Sequence, residues 1–179
     1  MTMTMNFNTM QRIATAVISA AAALAILPPG ALAQKNHQHR LEGTWSVQVT
    51  QRDCSTGAPL GVPFLSLLTF AHGGTMTETT SNPMFYPAVR GPGHGVWQHL
   101  NGNGGPKGGP DGDEHHYQAS SIALITVNGV LTQEQIIRQN IQMGNNPNLF
   151  QTTSASVEFY TPDGTLVRKG CATAQGTRF

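Results

Sequence analysis

Charged side chains, cysteines and long apolar runs are all scarce in this sequence, and each shortage excludes something. Asp, Glu, Lys and Arg make up 11% of the residues, and they balance. Residues 34–179 carry nine basic and nine acidic side chains, because Arg12 is the one charged residue ahead of them. A surface for nucleic acid or anionic lipid needs a basic excess, so no nucleic-acid partner is expected. Two cysteines, Cys54 and Cys171, are too few for a disulfide-dense scaffold or a structural zinc site. No Gly-x-Ser-x-Gly nucleophile elbow is present, and the acids are too scattered to nominate a carboxylate pair for glycoside hydrolysis. No cofactor is expected. From Leu41 to Phe179 there is also no segment with helical periodicity.

The apolar run Ile13 to Leu27 is shorter than the ~20 residues of a membrane span. It follows Arg12, ends in Pro28-Pro29-Gly30 and precedes Ala31-Leu32-Ala33, a small-x-small cleavage site. This order is that of a secretory signal, and Met10 is an alternative start. The expected organisation is a cleaved signal over residues 1–33, a flexible tail over 34–40 and one domain over 41–179. The mature chain would have no integral membrane span and be exported to the periplasm or the exterior. In that oxidising setting an even pair of cysteines suggests one disulfide.

What remains is a succession of short alternating segments separated by Gly, Pro and Asn turns. Strands are expected at Thr44–Arg52, Pro63–Ala71, Thr75–Thr80, His94–Leu100, His116–Val127, Val130–Met143, Phe150–Tyr160 and Thr165–Gly176. Strand two is apolar enough to be covered on both faces. Ser81 to Pro92, with three prolines, reads as irregular. Asn128-Gly129 is a two-residue hairpin signal. The Gly-rich stretch Asn101 to Glu114 reads as a mobile loop; it is no phosphate cradle, because a strand and not a helix follows it. Eight strands connectable as neighbours predict an all-β, up-and-down antiparallel closed barrel.

Closure has two further supports. Pairing strand one with strand eight, so that Trp45 lies near Arg178, brings Cys54 near Lys169, one diagonal step from Cys171. The same register lays the Arg178 guanidinium over the Trp45 ring.

Gly43-Thr44-Trp45 at the start of strand one, with Arg178 on the last strand to cover the Trp, resembles the signature of the lipocalins and the wider calycin group. The resemblance implies a barrel closed at the Trp end and open at the other, holding a small apolar ligand. The chain departs from the lipocalin pattern in two respects. No amphipathic helix follows strand eight, and no Thr-Asp-Tyr motif lies between strands six and seven. The looser calycin-like class, which also contains isomerases, cyclases and hydratases, fits better.

The open end lies opposite Trp45, at the loops after strands one, three, five and seven; the loop after strand four falls at the Trp45 end. The expected ligand lining is Phe64, Leu68, Phe70, Trp97, Ile136, Val157 and Phe159, with Arg138 and Asn140 fixing the ligand's orientation. Strand six leaves its orientation open. Either Glu134, Ile136, Arg138 and Asn140 point inward, or Gln133, Gln135, Ile137, Gln139 and Ile141 do, and alternation alone does not choose. With a simple hairpin, Met143 pairs with Phe150, Arg138 with Ala155 and Ile136 with Val157. His94 and His99 have opposite parity on strand four, as do the adjacent His115 and His116, so neither pair chelates by itself. One from each pair could meet across strands four and five only with a third ligand such as Asp113 or Glu114, and no metal is expected.

Three functions are compatible with these residues. The first is an exported monomer or weak homodimer that binds a small hydrophobic molecule. The second is a cofactor-free cyclase, isomerase or hydratase in which Arg138 stabilises negative charge and Glu134 or His99 moves a proton. The third is a structural barrel whose interior is filled by side chains.

Overall fold

In the computed structural model, residues 40–100 and 115–179 are described; the expected signal segment, most of the tail and the Asn101–Glu114 loop lie outside them. The described residues form eight strands: β1 (Gly43–Arg52), β2 (Pro59–Phe70), β3 (Thr75–Thr80), β4 (Val89–His99), β5 (His115–Val127), β6 (Val130–Met143), β7 (Leu149–Tyr160) and β8 (Leu166–Arg178). Each pairs antiparallel with its sequence neighbours, and β1 pairs with β8, so the sheet is a closed up-and-down barrel. The tight Asn128-Gly129 turn has positive φ at both residues, the geometry a two-residue hairpin requires.

The closing register is the expected one. Trp45 lies opposite Arg178 and Arg52 opposite Cys171, and Cys54 is bonded to Cys171 with their Cα atoms 5.2 Å apart. At that end Trp45 is fully buried, its indole donates to Leu41 O at 2.9 Å, and the Arg178 guanidinium carbon sits 4.3 Å from the ring centroid. Arg178 also donates to the carbonyls of Glu42 and Arg40, both at 2.5 Å, and of Pro147 at 3.1 Å. It ties the segment before β1 to the turn before β7.

Above this seal the closed half of the barrel is a packed aromatic plug. Phe150 meets Trp45 edge-on at 4.9 Å, Phe70 lies 6.0 Å from Trp97, and Trp97 lies 5.9 Å from Tyr117. Gly176 makes the plug possible, because a Cβ there would come within 2.2 Å of the Phe150 ring. Burial pushes the Tyr117 hydroxyl pKa up to about 12, as expected of a phenol whose charged form is denied water.

Three departures from the sequence expectation matter. β4 begins at Val89, inside the stretch read as irregular, and its pairing with β5 shifts between Arg90 and Gly93. Gly91-Pro92 occupies that bulge, one of the few places in a sheet where a residue without an N–H is tolerated. β7 carries a second bulge between Thr152 and Ala155, so beyond it Arg138 faces Ser156 and Ile136 faces Glu158, one residue out from a simple hairpin. Finally, β2 is covered on one face only. Leu65 and Leu67 point outward and are more than half exposed, the arrangement of an antiparallel barrel with one solvated side.

Candidate functional site

Because a barrel strand alternates inward and outward, each bulge reverses which residues enter the lumen. In β4, Gly93, Gly95 and Trp97 share one parity, and the bulge brings Arg90, of the opposite parity, to the same inner side. In β7, Phe150 and Thr152 point inward before the bulge, and Ala155, Val157 and Phe159 after it. In β6 the inward set is Gln135, Ile137, Gln139 and Ile141.

The lumen therefore has three levels. The plug fills the closed end. Over it lies a polar girdle of buried Ser66, Glu78, Ser121, Gln135, Gln139 and Thr152, with Arg90. Beyond the girdle is a cavity of about 240 Å³ walled by Val49, Phe64, Ile137, Val157 and Phe159, with the girdle as its floor. Its mouth is at the end away from Trp45, where Leu60 after the first turn, Asn82, Met84 and Phe85 after β3, and Arg168 at the start of β8 line it. Pro83–Phe85 form a single 3-10 turn, capped by the Asn82 side chain accepting from Met84 N at 3.0 Å. The turn brings the Phe85 ring within 6.4 Å of Phe159, and the Arg168 guanidinium stacks 3.8 Å over the other ring of that pair, Phe159.

An ion pair organises the girdle. The Arg90 and Glu78 side chains are 2% and 5% exposed, and Arg90 Nη2 bonds Glu78 Oε1. Arg90 Nε also bonds Gln135 Oε1, its Nη1 donates to Gly91 O at 3.2 Å, and Ser121 Oγ donates to Glu78 Oε1 at 3.0 Å. Gly93 leaves the space for this carboxylate; a Cβ there would lie 2.4 Å from Glu78 Oε1. Thr152 Oγ1 donates to Gln139 Oε1 at 3.2 Å. Among the described residues, Thr80 Oγ1 is a buried side-chain oxygen without a partner; the residue itself is part of the cavity lining.

The candidate residues divide cleanly. Phe64, Leu68, Val157 and Phe159 line the cavity. Phe70 and Trp97 belong to the plug beneath it. Ile136, Arg138 and Asn140 lie on the outer face, a correction that follows from the orientation of β6 and the bulge in β7. Val157 shares the lumen with Ile137, not with Ile136. Arg138 is half exposed and bonds Glu158 Oε2 at 2.6 Å, and the Asn140 amide donates to Ser154 at 3.1 Å. Glu134 shares the outer parity of Arg138, whereas His99 lies at the closed end with its ring 5.0 Å from Tyr117. The trio Arg138, Glu134 and His99 is thus spread over separate parts of the barrel. The ionic pair that does face the lumen, Arg90 with Glu78, was not among the candidates. Arg90 sits in a proline-rich stretch with no alternation to mark it, and Glu78 is the lone acid of a short Thr-rich strand.

On the outer surface Glu158 draws in Arg138, Lys169 at 3.0 Å and the Tyr160 hydroxyl at 2.9 Å. Hydrogen bonds from Lys169, then Arg138, then Tyr160 lower its pKa from 4.5 to about 2. A carboxyl whose pKa falls on folding stabilises the fold above its unfolded value, and that contribution drains away as pH falls from 4.5 towards 2. Chemical denaturation across this window should show stability falling less steeply in Glu158→Gln than in the parent chain. Parallel curves would remove Glu158 from the acid response.

No family model, curated protein or solved structure matches this chain.

Proposed function

We propose that this is an exported calycin-like barrel that binds a small, largely hydrophobic molecule in the cup above the girdle. One observation carries the reading: side chains fill the lumen at the closed end but leave a walled cavity at the other. A barrel with a purely structural role has no need of that space, since interior voids cost packing energy. The wall of Val49, Phe64, Ile137, Val157 and Phe159 is apolar and aromatic and lies between a polar floor and a mouth that carries Asn82, Arg52, Arg168 and Lys169, an apolar site with a few polar groups to fix orientation. The arginine seal on Trp45 supports the lipocalin-like reading of Gly43-Thr44-Trp45. The Cys54–Cys171 bond supports export, because such bonds persist in oxidising compartments.

Uptake of the neutral fluorophore N-phenylnaphthylamine tests the proposal. The parent protein should enhance its emission, and Val157→Trp, which fills the wall of the cavity, should weaken uptake by roughly tenfold or more. Arg138→Ala, on the outer face, should leave uptake unchanged. Equal uptake by the parent protein and a folded Val157→Trp variant would sink the reading.

A further inference from the structure

We infer that the floor of the cavity, formed by Glu78, Arg90 and Gln135, is a head-group site that selects a neutral amphiphile bearing a hydroxyl or primary amide over the corresponding carboxylate. The inference rests on the binding reading above and names its ligand class.

Burying a carboxylate and a guanidinium in a lumen is costly, and apolar residues of similar volume would serve stability as well. The pair faces the cavity, and its hydrogen-bonding capacity is only partly consumed. A guanidinium offers five N–H donors, of which Gln135, Gly91 and Glu78 engage one on each nitrogen. On the carboxylate, Arg90 and Ser121 both bond Oε1, which leaves Oε2 as the oxygen they do not engage. The floor thus presents a strong acceptor beside strong donors.

Charge decides which head group fits. The two ions neutralise each other, so the floor as a unit is uncharged. A carboxylate or an ammonium brought there would meet one attracting and one repelling ion, so the pair supplies no net charge to offset the cost of taking that ion out of water. A hydroxyl or primary amide brings no charge. It can donate to Glu78 Oε2 and accept from Arg90, and these bonds to charged partners are the strong kind.

Competition against bound N-phenylnaphthylamine at near-neutral pH, with octanamide, octanol and octanoate as competitors of equal chain length, tests this. Octanamide and octanol should displace the probe at concentrations roughly tenfold or more below octanoate. In Glu78→Leu/Arg90→Met the probe should still bind and the preference should collapse to within about twofold. Octanoate competing as well as the neutral compounds, or a preference that survives in the double variant, would overturn the inference while leaving cavity binding intact. Tighter binding of octanoate, lost in Arg168→Ala, would also overturn it and move recognition to the basic mouth. Failure of the probe to bind the parent protein at all would bring down both readings.

Discussion

Replacing Arg90 by Met is expected to destabilise the barrel by about 3–5 kcal/mol, whereas the double replacement Glu78→Leu/Arg90→Met should recover most of that loss. The asymmetry comes from the pair's burial. With Arg90 gone, Glu78 is left as a nearly fully buried carboxylate whose remaining donor among the described residues is Ser121. A carboxylate held unpaired in a poorly solvated lumen costs free energy. Removing both ions removes the desolvation penalty with them. Of the polar groups left behind, Gln135 belongs to the lining of a cavity that water can enter. Urea denaturation of the parent chain, both single variants and the double variant forms a complete cycle. A double variant as unstable as Arg90→Met would show that the pair contributes net stability, and the case for a role in recognition would weaken accordingly. The same double variant carries the head-group competition, so its recovered stability is a condition of that experiment.

The second large effect is expected from the disulfide. Cys54 and Cys171 are separated by 117 positions and join the turn after β1 to the middle of β8, across the seam where first and last strands meet. Bridging so long a loop restricts the unfolded chain strongly. In the chain-entropy account, a native bridge of this kind is worth about 2–5 kcal/mol. Cys54→Ala/Cys171→Ala should therefore lower Tm by roughly 10 °C at this chain length. Cys171 also lines the mouth of the cavity, so the variant should release probe faster even at temperatures where it stays folded. A Tm within about two degrees of the parent would show that the β1–β8 ladder and the Arg178 seal hold the seam without covalent help.

How much of this was legible in the residues can be judged element by element. The alternation of Trp45, Val47 and Val49 against Ser46, Gln48 and Thr50 reports a strand because a pleated backbone sends successive side chains to opposite faces. The turn at Asn128-Gly129 is legible for an equally local reason, since few residues accept its backbone angles. Even the long-range closure left a trace. Trp45 with Arg178 and Cys54 with Cys171 are two pairs of chemically matched residues that a single antiparallel register satisfies together. These features depend on spacing along the chain or on partners that recognise each other.

The site was less legible because it depends on parity, and parity is not conserved through a bulge. Gly91-Pro92 looks like a strand breaker in the sequence, yet in the barrel it is the extra length that turns Arg90 inward to Glu78. The irregularity between Thr152 and Ala155 likewise seats Val157 and Phe159 in the lumen with Ile137 while Ile136 and Arg138 face solvent. Alternation along a strand says that two faces exist; which of them is inner is settled by the neighbours it hydrogen-bonds to and by the space left in the lumen. The amino-acid order alone thus determined most of the strands, the Asn128-Gly129 turn and the seam. Only the assembled barrel decided which side chains meet inside it, because one inserted residue in a ladder reverses the facing of every residue beyond it.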